Sequence, residues 1–171
     1  MADEGDLSGA RVLVTGGAGF IGSNFVHHLL HRLPDAHVVV LDALTYAGRR
    51  ENLAGLPERS LTFVHGDIRE AADVAKAMAG CDYVLNFAAE SHVDRSIETP
   101  GDFIQTDVYG VFVLAEEARR RGVRRFIQVS TDEVYGEVLE GRATASGSRM
   151  SPWMKVSACA GRPSRFSRRP A

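Results

Sequence analysis

Gly16-Gly17-Ala18-Gly19-Phe20-Ile21-Gly22 lies between a short β-branched run, Arg11–Thr15, and a stretch of helical spacing, Phe20–Leu33. No other feature of the 171-residue chain constrains its fold as tightly. Glycines recur at Gly16, Gly19 and Gly22. At such positions a tight turn, close approach of backbone to a pyrophosphate, and close helix packing each require a missing Cβ. The helix that follows offers free N–H groups and the positive end of its dipole to phosphates. Asp42 stands 20 residues after Gly22, at the end of a second apolar run, His37–Leu41. That is where a carboxylate accepts hydrogen bonds from an adenosine ribose. The same carboxylate repels a 2′-phosphate, which favours NAD over NADP. The plain alternative is a turn followed by a surface aspartate.

Further apolar runs at Leu61–His65, Asp82–Asn86 and Arg124–Val129 read as strands. Asp73–Ala79, stopped by Gly80, and Asp102–Arg121, closed by a basic turn and Gly122, read as helices. Strands that are apolar throughout and alternate with helices predict an α/β fold with a parallel sheet covered on both faces. The expected architecture is a Rossmann-type doubly wound sheet of about five strands in the order 3-2-1-4-5. Residues 8–141 form the expected NAD-binding domain. Ligands in such sheets bind at the carboxyl ends of strands. Two more strand ends suit that crevice. Asp67-Ile68 can pair an adenine with a carboxylate and the adjacent backbone, and the small residues of Asn86-Phe87-Ala88-Ala89 let a cofactor lie over the sheet edge. Each of these is, taken alone, also an ordinary strand-end loop.

Charge divides the chain after Gly141. Residues 1–141 hold 13 basic and 22 acidic side chains, a net charge of −9, whereas residues 142–171 hold seven basic and none. Six serines and no apolar periodicity make 142–171 read as a disordered basic tail. It carries only two aromatic residues, Trp153 and Phe166, and no recognition motif, so nucleic-acid binding is not expected. The acidic N-terminus lacks a signal-peptide pattern, and no apolar run approaches the ~18 residues of a membrane span. Cys81 and Cys159 have neither metal nor disulfide spacing, so no metal site is expected and a cytoplasmic setting is. Cys81 reads as filler at the start of a buried strand.

Ser130-Thr131-Asp132-Glu133-Val134-Tyr135-Gly136 leaves the carboxyl end of the fifth run. In the turn leaving a strand, two adjacent carboxylates can converge on one substrate as an acid–base pair. This segment resembles the dTDP-glucose 4,6-dehydratases of the extended short-chain dehydrogenases/reductases. So do Val14–Asn24, Leu44-Thr45-Tyr46-Ala47-Gly48 and Ala88-Ala89-Glu90-Ser91-His92-Val93-Asp94-Arg95-Ser96. The resemblance spans about residues 10–141. The glycine motif belongs to the whole superfamily, while the Ser91–Ser96 and Thr131–Gly136 stretches are far more specific.

The resemblance implies that Phe20, Ile21, Asp42, Ala43, Leu44, Thr45, Asp67 and Ile68 line NAD, together with Phe87, Ala88, Ala89, Glu90 and Thr106. It implies that Ser91 and Thr131 contact a dTDP-sugar. Asp132 would protonate the departing C6 hydroxyl and Glu133 would remove the C5 proton, so Thr131, Asp132 and Glu133 are the expected catalytic residues. The implied reaction converts dTDP-glucose to its 4-keto-6-deoxy form, with NAD regenerated in each turnover. Asp132 must then be protonated and Glu133 ionised, which requires environments that separate their pKa values. Ala43 replaces a basic residue common in the family, and Asp107 replaces an asparagine.

The family's oxidation step uses a tyrosine with a lysine four residues later, whose charge lowers the phenol pKa. The residues four positions after the four tyrosines here are Arg50, Phe87, Val113 and Leu139. The expectation is a chain truncated by a frameshift near Gly141 and inactive alone. The family's pairing through helices, one of them Asp102–Arg121, is not expected to survive. Two other readings remain: a non-catalytic NAD-binding fragment, and another extended short-chain enzyme such as a nucleotide-sugar epimerase. Epimerases generally lack the Asp-Glu pair.

Overall fold

The computed structural model describes residues 7–130. Its five strands are β1 (Arg11–Thr15), β2 (His37–Asp42), β3 (Leu61–His65), β4 (Tyr83–Asn86) and β5 (Arg125–Gln128). All pair in parallel, in the order β3-β2-β1-β4-β5, as the strand–helix alternation predicts. β1 is the central strand. Its Val12 and Val14 enter one core with Val26 and Leu30 of α1 (Phe20–Arg32), while Leu13 enters the other. That second core holds Val74 of α2 (Ala71–Ala77) and Leu114 of α5 (Val111–Arg121). Side chains alternate across a strand, so a strand that is apolar at every position must be covered on both faces.

Several boundaries differ from expectation. α2 begins and ends two residues earlier than Asp73–Ala79. The Asp73 carboxylate accepts the Asp67 N–H at 3.0 Å and so lies in the first turn rather than opening the helix. Met78 caps α2, and Gly80, at φ +70°, reverses the chain two residues later. β2 gains Asp42, β4 starts one residue late and β5 is trimmed at both ends. Two short helices, α3 (Val93–Glu98) and α4 (Pro100–Phe103), were not expected. The expected long helix does run to Arg121, and Gly122 caps it at φ +66°. Residues Ile104–Gly110 within it, however, form a seven-residue π-helical segment.

Two close contacts accompany the wider turn. Gly110 sits so close to Ile68 that an added Cβ would lie 2.7 Å from its Cδ1, and Asp107 reaches the backbone of Glu90. β4 is paired on both sides, and β5 is the outer strand among the described residues, with Ile127 and Val129 exposed. Cys81 is buried before β4, and burial pushes its thiol up to about 11, so it stays protonated, as a filler residue should.

Arg121 ties α5 to α2 by donating to the Ala75 carbonyl at 2.8 Å. Glu117 accepts from both Arg120 and Arg121. The Arg120 hydrogen bond leads in holding Glu117 down to about 2; partial burial opposes it, and Arg121 adds to it. A depressed carboxyl contributes stability above its unfolded pKa and loses it as pH falls through the folded value. Glu117→Gln is therefore expected to lower stability at pH 6, with the deficit shrinking as pH falls from about 4.3 toward 2. Urea unfolding across that range measures it.

Candidate functional site

The carboxyl ends of β1 to β4 open on one edge of the sheet, and every expected cofactor residue among 16–90 lies at a strand end or in the segment leaving it. Gly16 has φ +64°. A Cβ there would sit 2.6 Å from the Ala88 nitrogen, so the loops after β1 and β4 meet backbone to backbone. A Cβ on Gly22 would overlap the Gly16 carbonyl, which brings the first turn of α1 onto the glycine loop. Gly19 caps α1 without a side-chain hydrogen bond, and no acidic residue occupies the first turn. The leading N–H groups of a helix have no intrahelical acceptor, so this end favours an anion. Phe20 and Ile21 project from it, 81% and 65% exposed. The cradle fits a dinucleotide pyrophosphate.

Asp42 is buried and its carboxylate clasps two loops. Oδ2 accepts the Ala18 N–H and Oδ1 the Leu44 N–H, both at 2.8 Å. Leu44 has φ +50°, a left-handed conformation that costs a residue with a Cβ of order 1–3 kcal/mol. Ala43 is half-buried and Thr45 is exposed in the same turn. Asp67 is half-buried and paired with Arg69 at 2.6 Å. Burial raises the Asp67 carboxyl, but the Arg69 hydrogen bonds and charge together hold it below its ordinary value. The Ile68 side chain is buried in the core, which leaves only its backbone to face a ligand.

Polar side chains missed at the sequence level lie beneath the crevice. The Ala88 N–H donates to Thr15 Oγ1 at 3.5 Å, and Thr15 Oγ1 donates to Asn86 Oδ1. Asn86 Nδ2 then donates to Gln128 Oε1 at 2.8 Å. Thr15 and Asn86 are fully buried, so this ladder satisfies polar groups that would otherwise destabilise the sheet. The available signal was one polar residue at the end of each of three apolar strands.

Phe87 packs against Phe25 at 5.2 Å, and Ala89 and Ser91 are exposed. The Glu90 N–H donates to Asp107 Oδ1 at 2.9 Å, next to Thr106 in the π segment. Arg95 lies 3.6 Å from Glu90 and stacks over Tyr46 at 4.9 Å, linking the segments that follow β4 and β2. Thr131, Asp132 and Glu133 lie outside the described residues, as does the basic tail. Among the described residues no cluster of His, Cys, Asp and Glu could hold a metal, and no helix is long and apolar enough to cross a membrane.

Asp107 replaces a neutral amide in the resemblance. Burial raises its carboxyl, the Glu90 N–H opposes that, and the Glu90 charge adds to the rise. An acid raised on folding costs stability above its unfolded pKa. Asp107→Asn keeps an oxygen for the Glu90 N–H, so its Tm should exceed the parent's at pH 7. The gap should close as pH falls below about 4 in thermal melts.

A profile of the GDP-mannose 4,6 dehydratase family matches residues 13–152. A dTDP-glucose 4,6-dehydratase of Mycobacterium tuberculosis is 54% identical over 134 residues, covering 78% of this chain and 40% of that protein. The crystal structure of DesIV, a dTDP-glucose 4,6-dehydratase of Streptomyces venezuelae with NAD bound, is 50% identical with a TM-score of 0.77. It covers 83% of this chain and 45% of that one. A UDP-glucose 4-epimerase of Thermus thermophilus in complex with NAD is 40% identical, TM-score 0.70, over 80% of this chain and 43% of its own. The chain thus spans about 40% of the length of these relatives.

Proposed function

The chain belongs to the GDP-mannose 4,6 dehydratase family, and we propose on that premise that residues 8–141 bind NAD as the cofactor portion of a dTDP-glucose 4,6-dehydratase. One observation carries the reading. The glycine cradle against Ala88 leaves a helix end without a side-chain cap, facing the same edge as the Asp42 carboxylate. Similarity to a dTDP-glucose 4,6-dehydratase with NAD bound supports it.

The α1 N–H groups hold the pyrophosphate, and Phe20 and Ile21 flank it. Each Asp42 oxygen carries one N–H donor and keeps capacity for a ribose hydroxyl. Asp67 and the Ile68 backbone take the adenine, with Ala43, Leu44 and Thr45 beside the ribose. Phe87 to Glu90 and Thr106 line the far end. NAD, when bound, supplies reversible hydride acceptance. Ser91 and Thr131 hold the sugar nucleotide, Asp132 protonates the departing hydroxyl and Glu133 removes the neighbouring C–H proton. This acid–base pair favours dehydration over the epimerisation named for the Thermus thermophilus relative.

Calorimetric titration tests the reading. The 171-residue chain should bind NAD saturably and NADP more weakly. Asp42→Asn should weaken NAD by about 10- to 100-fold, the worth of a charged hydrogen bond. No heat with NAD would sink the proposal. Mixed with dTDP-glucose and NAD, this chain should form little 4-keto sugar, since no tyrosine is followed four residues later by lysine. Turnover would overturn that expectation.

Ile104, Val108 and Phe112 recur at four-residue spacing, and each is about 60% exposed. The stripe lies on the helix whose pairing is not expected to survive, so sedimentation of this chain should show a monomer, and a concentration-dependent dimer that Phe112→Asp abolishes would overturn that expectation.

A further inference from the structure

The two carboxylates assigned to the adenosine end differ in how many acceptor sites they have left. An ionised carboxylate offers about four lone-pair sites, two on each oxygen. Asp42 uses one on each, for the N–H groups of Ala18 and Leu44. Asp67 takes three protons, one of them shared between its two oxygens, so both oxygens are engaged by Arg69. Its Oδ1 accepts the Arg69 backbone N–H at 2.9 Å and the Arg69 Nε–H at 3.0 Å. Its Oδ2 accepts from the same Nε at 2.9 Å and from Nη2 at 2.6 Å. The turn is also held from behind, because the Asp67 N–H donates to Asp73 Oδ2 at 3.0 Å. A Cβ on Gly66 would collide with that Asp73 carboxylate at 2.8 Å. Asp67 therefore has little freedom to swing toward a new donor.

We propose that Arg69 competes with the adenine amine for the Asp67 carboxylate and so sets how strongly this chain distinguishes adenine from a base lacking that amine. This rests on the dinucleotide reading above. Arg69 is a positioning residue here: it acts through Asp67 rather than on the ligand. The exchange is open to it, since its side chain is 40% exposed against 24% for Asp67. The charges of Asp102 and Glu70 also act on the guanidinium, so a released Arg69 remains attracted to this surface. An adenine amine that docks on Asp67 must therefore replace an ionic fork, and most of its gain is offset by the fork's loss.

The probes are NAD and its hypoxanthine analogue, which carries a carbonyl in place of the exocyclic amine, titrated calorimetrically into the full chain. The parent should prefer NAD by no more than about threefold, because exchange of one charged hydrogen bond for another leaves a small net gain. Arg69→Met keeps the apolar stem and removes the side-chain donors, and it should raise the preference to about tenfold or more. Arg69→Lys, with a single point donor, should fall between, and it serves if the Met variant folds poorly. Arg69→Met combined with Asp67→Ala should lose the gain. An unchanged ratio in both single variants, a reduced ratio, or a gain that survives the loss of Asp67 each overturns the competition while leaving the dinucleotide reading intact. Failure of both dinucleotides to bind the parent overturns that reading and the competition with it.

Discussion

The backbone contact between Gly16 and Ala88 is the constraint on which the crevice depends. It brings the ends of β1 and β4 together at a distance no side chain could share, and it requires a left-handed residue on one side. Once the contact is made, Gly22 can close on the Gly16 carbonyl, α1 points its free end across the sheet edge, and Ala18 falls within reach of Asp42. One missing Cβ at Gly16 thus orients a helix, a carboxylate and two loops. The alternating burial of Val12, Leu13 and Val14 supports this geometry from below, since β1 is gripped from both faces.

Much of this was legible because it follows from period and punctuation. β1 and β3 have the expected bounds, the strand order is the expected one, and Gly122 closes the helix as a left-handed cap. Such features depend on local apolar runs and on glycine, which a single sequence displays directly. What escaped depends on long-range partners. The early start of α2 goes with the Asp73 carboxylate accepting the Asp67 N–H, and the π segment goes with the approach of Gly110 to Ile68 and of Asp107 to Glu90. Neither has a periodic trace. The buried Thr15–Asn86–Gln128 ladder left only a polar residue at the end of each strand as its trace.

The site was legible in its positions rather than in its partners. Asp42 and Asp67 were recognisable from their places at strand ends and Glu90 from the resemblance, but nothing in the spacing showed that Arg69 engages both Asp67 oxygens or that Arg95 bridges Glu90 and Tyr46. The place of Ile68 beside Asp67 pointed to its backbone as the part offered to a ligand, and its side chain lies in the core. Leu44 holds a conformation that its residue type disfavours, in a turn clasped by the Asp42 carboxylate.

The polar ladder under the crevice also bears on how the molecule comes together. Its links join Ala88 to Thr15, Thr15 to Asn86, and Asn86 to Gln128, across 73, 71 and 42 residues of chain. Each closes a long loop, whose entropy must be lost before the contact rewards it. No short segment can form the floor of the site in advance. The crevice is assembled only when the central strands are in register, and it is lost when they part. Any ligand held above that floor therefore shifts the folding equilibrium of the whole sheet rather than ordering a loop alone.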